Sequence, residues 1–341
     1  MRLATIPGPA LSGTDWPGPS PMTAEPGAEE TVPTMIKYAF RRLLSTIPVL
    51  WIAVTACFFV LRLAPGGPFD GERPLPPVIL KNLAAHYHLD QPLIQQYFLY
   101  VGDLLRGDLG PSFASEDFTV AQQIMIGLPY TFIIGTSAFL LAIIIGVTVG
   151  CLGALYQNKA PDYILGAMIL VGVVLPNFLI APILQLVIGI HLEWLPVGGW
   201  GDGSLKYLVL PVVVLALPHA GRISRITRGS MIEVMGQNFI RTAKAKGIGP
   251  RLTVMRHALK PAMMPVVSYL GPAASYLLTG SLVVESVFGL PGIGRYFINA
   301  ALNRDYGMVL GTVIFYMVLI VVLNLLVDIA YAWLDPKVRN R

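Results

Sequence analysis

The chain has 341 residues, of which 55% are hydrophobic and only 13% charged, and its mean hydropathy is +0.66. A soluble chain carries roughly a quarter charged residues, so this composition excludes a soluble globular protein and marks a polytopic membrane protein. The formal charge of +5 is what positive residues gathered in cytoplasmic loops produce; no aromatic-basic module accompanies it to suggest nucleic acid.

Residues 1–34 hold seven Pro and four Gly without apolar periodicity. Such a stretch cannot bury enough surface to offset its ordering entropy and reads as a disordered extension. It lacks the apolar core of a signal peptide. Met35, followed by Ile-Lys-Tyr-Ala-Phe-Arg-Arg, is a more natural start, which leaves the extension open to being a mis-assigned beginning. The first span then runs from about Leu43 to Leu63, close to the ~20 residues that cross the hydrocarbon. Arg41 and Arg42 precede it, and Arg62 near its outer end can snorkel to the interface.

Residues 35–127 take in this span and a polar region from Ala64 to Gly127, which opens on Pro-Gly-Gly-Pro turns. Leu93, Tyr97, Tyr100, Val101 and Leu104 recur at helical spacing within Gln91–Leu105 and predict a small extracytoplasmic helical subdomain. His86 and His88 flank Tyr87 without a carboxylate cluster, a poor metal site. No metal site is predicted. Cys57 and Cys151 lie in apolar segments without paired spacing and read as small core residues.

Residues 128–341 form the core, with five further spans at about Leu128–Leu152, Tyr163–Ile190, Tyr207–Ile223, Pro265–Phe288 and Met308–Trp333. The fold class is therefore all-α, with six transmembrane helices. The span at Tyr207 carries Pro211 and Pro218 and is either bent or continued through Met235. Gly146 and Gly150 offer a close helix–helix contact. With both termini on one side, 17 of the 24 Lys and Arg fall on that side, so both termini are expected in the cytoplasm.

The cytoplasmic loop 222–262 carries nine Lys or Arg against one acid, Glu233. Asn238 is placed to cap a helix through Lys246, and Gly247 to stop it. Ile248-Gly249 reads as a turn. Pro250 suits a first helical position, and a second helix ends near Lys260 before Pro261. Phe239 and Ala243 share one face of the first helix, with Arg241 and Lys244 three apart on it; Leu252, Met255 and Leu259 share a face of the second. The loop is either a helical elbow that inserts into a cytoplasmic partner or a solvated basic loop touching anionic lipid. Cap, stop, turn and second start together favour a folded elbow.

Asn238-Phe-Ile-Arg-Thr-Ala-Lys-Ala-Lys-Gly247, followed by His257-Ala-Leu-Lys-Pro261, resembles the coupling motif of binding-protein-dependent ABC importer permeases. Arg241 and Thr242 stand where the general motif has Glu and Ala, whereas Ala243 and Gly247 match; that variant is similar to the peptide-transporter branch. Further stretches resemble the B-type subunit of oligopeptide importers: Arg62 to Arg73, Tyr87 to Pro92, Gly107 to Phe113, Trp194 to Pro196, Ile226 to Val234, Gly289 to Gly294 and Asn303 to Tyr306. The likeness covers Met35 to the C-terminus.

The resemblance implies a type I ABC importer permease fold in a bacterial inner membrane, working by alternating access. It implies a second, different permease subunit, two ABC ATPases and an extracytoplasmic peptide-binding protein as partners. ATP and Mg would be used by the ATPases, and this chain would bind no cofactor. Its coupling residues would be Phe239, Arg241, Thr242, Ala243, Lys244, Gly247, Pro250, His257 and Pro261, with Phe239 and Ala243 the inserted contacts. Within the same family, a dipeptide, nickel or antimicrobial-peptide permease is the alternative.

No G-x-x-x-x-G-K-[ST] occurs in the sequence to cradle a nucleotide, and Gly289-Leu-Pro-Gly-Ile-Gly294 reads as a turn. Nothing assembles nucleophile, base and oxyanion donors, so no catalytic residue is assigned; a membrane peptidase would need such a set. A passive channel would need no docking elbow. Glu285, Asn177 and Gln185 lie within spans, where ionisable and polar groups mark candidate pathway or gate positions. For Glu285 the choices are the route, a pair with Arg295 or Arg304, or an interfacial anchor. For Asn177 and Gln185 they are the route or interhelical bonding. Asp328 is a structural ion-pair candidate.

Overall fold

The computed structural model describes residues 31–63, 81, 85–86, 88–113 and 117–334; residues 1–30, the Pro-Gly-Gly-Pro turns and the side chains of Arg41, Arg42 and Asp328 lie outside the described set. Two compact units are distinguished, residues 1–44 and 45–341. In the first, the backbone is helical from Thr31, where α1 (Thr31–Leu63) begins. The last four residues of the stretch read as unordered are therefore helical.

Among the described residues, the second unit carries five helical stretches long and apolar enough to cross a membrane, and a bent helix pair that makes a sixth when taken as one span. The five are the outer part of α1 (Thr46–Leu63), α3 (Val120–Leu155), α6 (Leu205–Met235), the stretch Met264–Val287 and α12 (Tyr306–Leu334), whose span is Tyr306–Val327. The third expected span is not one continuous helix. It is α4 (Ala160–Val174) followed by α5 (Asn177–His191) at an angle of 108°. Leu175, extended at ψ 130°, and Pro176 separate them, because a residue before Pro is driven out of the helical region.

At the head of the core, α2 (Leu93–Leu105) starts after Pro92. It does not make a subdomain of its own. Tyr97, Tyr100, Val101 and Leu104 pack on Val54 and Phe58 of α1 and on Leu310 and Ile314 of α12. Its other face leaves Ile94, Phe98 and Leu105 exposed. Arg62 does not snorkel outward: its guanidinium donates to Gln96 Oε1 and lies over the Phe58 ring, 5.3 Å from the centroid.

The centre is the pair α3 and α6. A Cβ at Gly146 would fall 2.6 Å from the Ile223 Cβ, and one at Gly150 2.5 Å from the Thr227 Cβ. Only glycine allows the two helices to lie this close, as small-residue spacing in membrane helices permits. Ala138, Ala142, Val214, Ala220 and Ile223 complete the buried seam. Despite Pro211 and Pro218, α6 runs unbroken to Met235, about 46 Å at 1.5 Å per residue. It thus leaves the ~30 Å hydrocarbon and carries the span directly to the basic loop.

After that loop, the fifth span is α9 (Met264–Leu278) and α10 (Leu282–Val287), separated at Gly280, whose φ is +76°. α11 (Ile293–Leu302) and α12 follow. Asp305 binds the start of α12 to a distant segment: Oδ1 accepts from Met308 N (3.0 Å) and Phe113 N (3.0 Å), and Oδ2 from Ser112 Oγ (2.5 Å). Two motifs far apart in sequence, Gly107–Phe113 and Asn303–Tyr306, are thereby one structural joint.

Candidate functional site

The basic loop folds into two short helices, α7 (Asn238–Ala245) and α8 (residues 250–262). Gln237, not Asn238, occupies the N-cap of α7 and makes no side-chain cap bond; Asn238 is the first helical residue. Thr242 Oγ1 donates back to the Asn238 carbonyl at 3.1 Å. The far end is closed by a reciprocal pair of backbone bonds, Ile248 N to Ala243 O (3.2 Å) and Gly247 N to Lys244 O (3.0 Å). This is the Schellman stop, and it needs a left-handed residue, which Gly247 supplies at φ +76°.

Gly249 then caps α8 with Pro250 at its first position. Thr253, almost fully buried, donates from Oγ1 to the Ile248 and Gly249 carbonyls at 3.2 and 3.1 Å. The corner between the helices is thus held by backbone geometry and one hydroxyl. α8 does not end before Pro261. It passes through a π-helical stretch, Thr253–Ala258, and an α-helical turn, Leu259–Ala262. A Pro ring clashes with the carbonyl four residues back, His257 here, and wider turns relieve such a clash.

The same π stretch shifts the register. Leu252 and Met255 are exposed, 52% and 72%, whereas Leu259 packs inward, so the three do not share a face. His257 is half-buried, with Nδ1 unpartnered.

Ile240, Ala258 and Ala262 are buried with Met231 of α6 and pack on Cys151 and Ala154 of α3. The elbow is therefore seated on the ends of the two central spans. Ala243 is only 5% exposed, which corrects its reading as an inserted contact: its methyl faces this chain, beneath the Schellman turn. Phe239, at 46%, faces out. Arg241, Thr242, Lys244, Pro250 and Pro261 are exposed, as are Lys246, Arg251 and Arg256. The exposed side chains of the elbow thus combine apolar Phe239, Leu252 and Met255 with the cations Arg241, Lys244, Lys246, Arg251 and Arg256.

The other sequence-derived candidates lie elsewhere and turn inward. Glu285 is 1% exposed and pairs with neither Arg295 nor Arg304. Its Oε2 accepts from Gly294 N (2.7 Å) and Thr131 Oγ1 (3.2 Å), and Thr131 Oγ1 accepts from Ile293 N (3.0 Å). The Gly289–Gly294 turn thus wraps a buried carboxylate at the start of α11. Arg295 donates instead to the Gly289 carbonyl at 3.1 Å. Gln185 Nε2 donates to Val197 O (2.6 Å) and Val287 O (3.2 Å), tying α5 to its following loop and to α10. Asn177 is half-buried at the break between α4 and α5, with Oδ1 unpartnered.

Sequence reasoning missed the ion pair that ties α4 to α6. Arg228 Nε and Nη2 donate to Asp162 Oδ1 and Oδ2, each at 2.7 Å, and Asn158 N adds 3.0 Å to Oδ2. A fork-to-fork pair of this kind is strong and directional. Its only sequence signal is an acid in the first turn of α4 and an Arg on a helix that also carries the elbow.

The profile of the family described as "binding-protein-dependent transport system inner membrane component" matches residues 142–340. The oligopeptide transport system permease protein OppB of Salmonella typhimurium is 51% identical over 305 residues, 89% of this chain and 100% of that protein. OppB of Escherichia coli K12 is 50% identical over the same shares. The dipeptide transport system permease protein DppB of Bacillus subtilis is 37% identical, covering 89% of this chain and 98% of that protein. The chain belongs to this family and is an inner-membrane component of a binding-protein-dependent transport system.

Proposed function

We propose that this family member is one of two permease subunits of an ATP-driven importer of oligopeptides. Its partners are a second, different permease subunit, two ABC ATPases and an extracytoplasmic peptide-binding protein. ATP and Mg act on the ATPases, and this chain binds neither. Both termini lie in the cytoplasm, on the side that carries 17 of the 24 Lys and Arg. The identity to OppB proteins, 51% against 37% for the DppB of Bacillus subtilis, supports an oligopeptide over a dipeptide cargo.

One observation carries the coupling role: exposed Phe239, Leu252 and Met255, with exposed cations on the same two helices, stand on an elbow whose inner face is seated on α3 and α6. An aromatic anchor in a polar, charged rim is the form of a protein–protein hot spot. Nucleotide can shift an importer between its two states only by binding them differently. When the ATPases close, a groove holding Phe239 moves, and α7 moves with it as a body because its end is locked at Gly247. The buried face passes the displacement to α6, which is unbroken, and Arg228 passes it on to α4 through Asp162.

The test is to purify the chain with its partner subunits in proteoliposomes and measure ATP hydrolysis with the binding protein and peptides of graded length. Stimulation by peptides longer than two residues is expected. Stimulation by dipeptides alone would move the cargo to the dipeptide class.

A further inference from the structure

Within the membrane-spanning part, one outer face differs from the rest. On α3 the exposed side chains are mostly apolar, Ile133, Leu140 and Ile144 among them, with no charged one exposed. On the adjoining helices α6 and α9, the exposed positions include Arg222, Ser268 and Tyr276, the last 55% exposed. Just behind them His219 Nδ1 and Tyr269 Oη are joined at 2.9 Å, and the His219 ring lies 5.0 Å from that of Tyr276. Arg222 is near enough to act on both His219 and Tyr269.

Arg222 stands about 26 Å along α6 from Leu205, at the cytoplasmic end of the span, where the basic loop begins. Polar side chains within a span, such as those of Ser268, Tyr269 and Tyr276, belong against water or protein rather than lipid. α9 has no acidic residue, and the single one in α6, Glu233, lies three turns beyond Arg222. The cluster offers a guanidinium and phenol O–H groups to an anion.

Resting on the importer reading above, we infer that the face formed by Arg222, Tyr269 and Tyr276, with His219 behind it, lines the route and holds the carboxylate terminus of the passing peptide. Tyr276 supplies an aromatic wall. His219 positions the Tyr269 phenol, and Arg222 provides the charge, since guanidinium–carboxylate pairs are the strongest hydrogen bonds available at such a site.

The experiment uses the complete assembly in proteoliposomes and tetra-alanine as probe, as free acid and as C-terminal amide, each at a concentration that saturates the binding protein. Arg222→Gln is expected to lower uptake of the acid about tenfold, the loss of one charged hydrogen bond, and to leave the amide unchanged. Arg222→Lys should restore part of the acid's uptake, and Tyr269→Phe should act in the same direction more weakly. Ser268→Cys should react with a charged thiol reagent that leaves Ile144→Cys untouched. Equal loss of acid and amide in Arg222→Gln would overturn the inference. So would Ser268→Cys that reacts only with a membrane-soluble reagent, the mark of a lipid-facing surface. Wild-type assemblies that import neither peptide would overturn the importer reading and this inference with it, whereas wild-type uptake with no acid–amide difference in the variants defeats the inference alone.

Discussion

The elbow at Phe239–Pro261 and the turn at Gly289–Gly294 both bend at glycine, both contain proline and both adjoin a charged side chain, yet they work in opposite directions. In the elbow, glycine serves the backbone: Gly247 holds φ +76° with open space where a Cβ would stand. Its charged side chains point outward. In the turn, Gly289 likewise holds a positive φ, +63°, in open space, but Gly294 serves packing: a Cβ there would meet Leu282 Cα at 2.7 Å and Glu285 Oε2 at 2.9 Å. The carboxylate there is buried and met by the Gly294 amide and the Thr131 hydroxyl. Crowding at Gly292 and Gly294, which the elbow glycines lack, separates the fixed joint from the movable one.

That contrast breaks most sharply at Glu285. Glu285→Ala leaves the Gly294 amide and the Thr131 hydroxyl without their acceptor in a buried site, a loss of about 3 kcal/mol. A lower unfolding temperature of the purified complex in detergent is expected; Glu285→Gln, which keeps a carbonyl for Gly294 N, should lose less. If Glu285→Ala instead melts as wild type, the turn is not the fixed joint described.

Next is the pair between α4 and α6. Asp162→Asn removes a charge-assisted fork and should lower the unfolding temperature of the complex, with a loss of coupling because α4 no longer follows α6. Full uptake in that variant would confine force transmission to α3 and α6. Gly247→Val places a β-branched residue at positive φ, a local strain of about 1–2 kcal/mol. Since nothing packs there, thermal unfolding should fall by no more than a few degrees while transport fails. Smallest in stability is Phe239→Ala, within about 0.5 kcal/mol for a surface site, yet it should weaken co-purification of the ATPases. Undiminished retention of the ATPases by that variant would remove Phe239 from the contact.

The six spans and the elbow were legible because both are written locally: apolar runs of about twenty residues, and a stop–turn–start at Gly247, Gly249 and Pro250. Local signals were less able to give phase. Asn238 and Gln237 are one residue apart, and Phe239 and Ala243 lie within 40° of each other on a helical wheel. Which of them faces the chain was decided by Met231 of α6 and Cys151 of α3, which belong to neither of the two short helices. The broken third span was foreshadowed by Pro176, but Pro211 and Pro218 occur in a helix that stays whole, so proline alone does not mark a break. Glu285 with Thr131, Arg228 with Asp162 and Asp305 with Ser112 are 154, 66 and 193 residues apart. No spacing rule connects partners at such distances, and their pairing exists only once the spans have packed.

The account turns on the claim that the elbow transmits by shape. Its most direct test is the number of peptides imported per ATP hydrolysed by reconstituted Gly247→Val assemblies, with Gly247→Asn, which tolerates the left-handed region, as the rescuing control. The account expects normal insertion and subunit association, a ratio near zero for Val and a largely restored ratio for Asn. A wild-type ratio in Gly247→Val would contradict it.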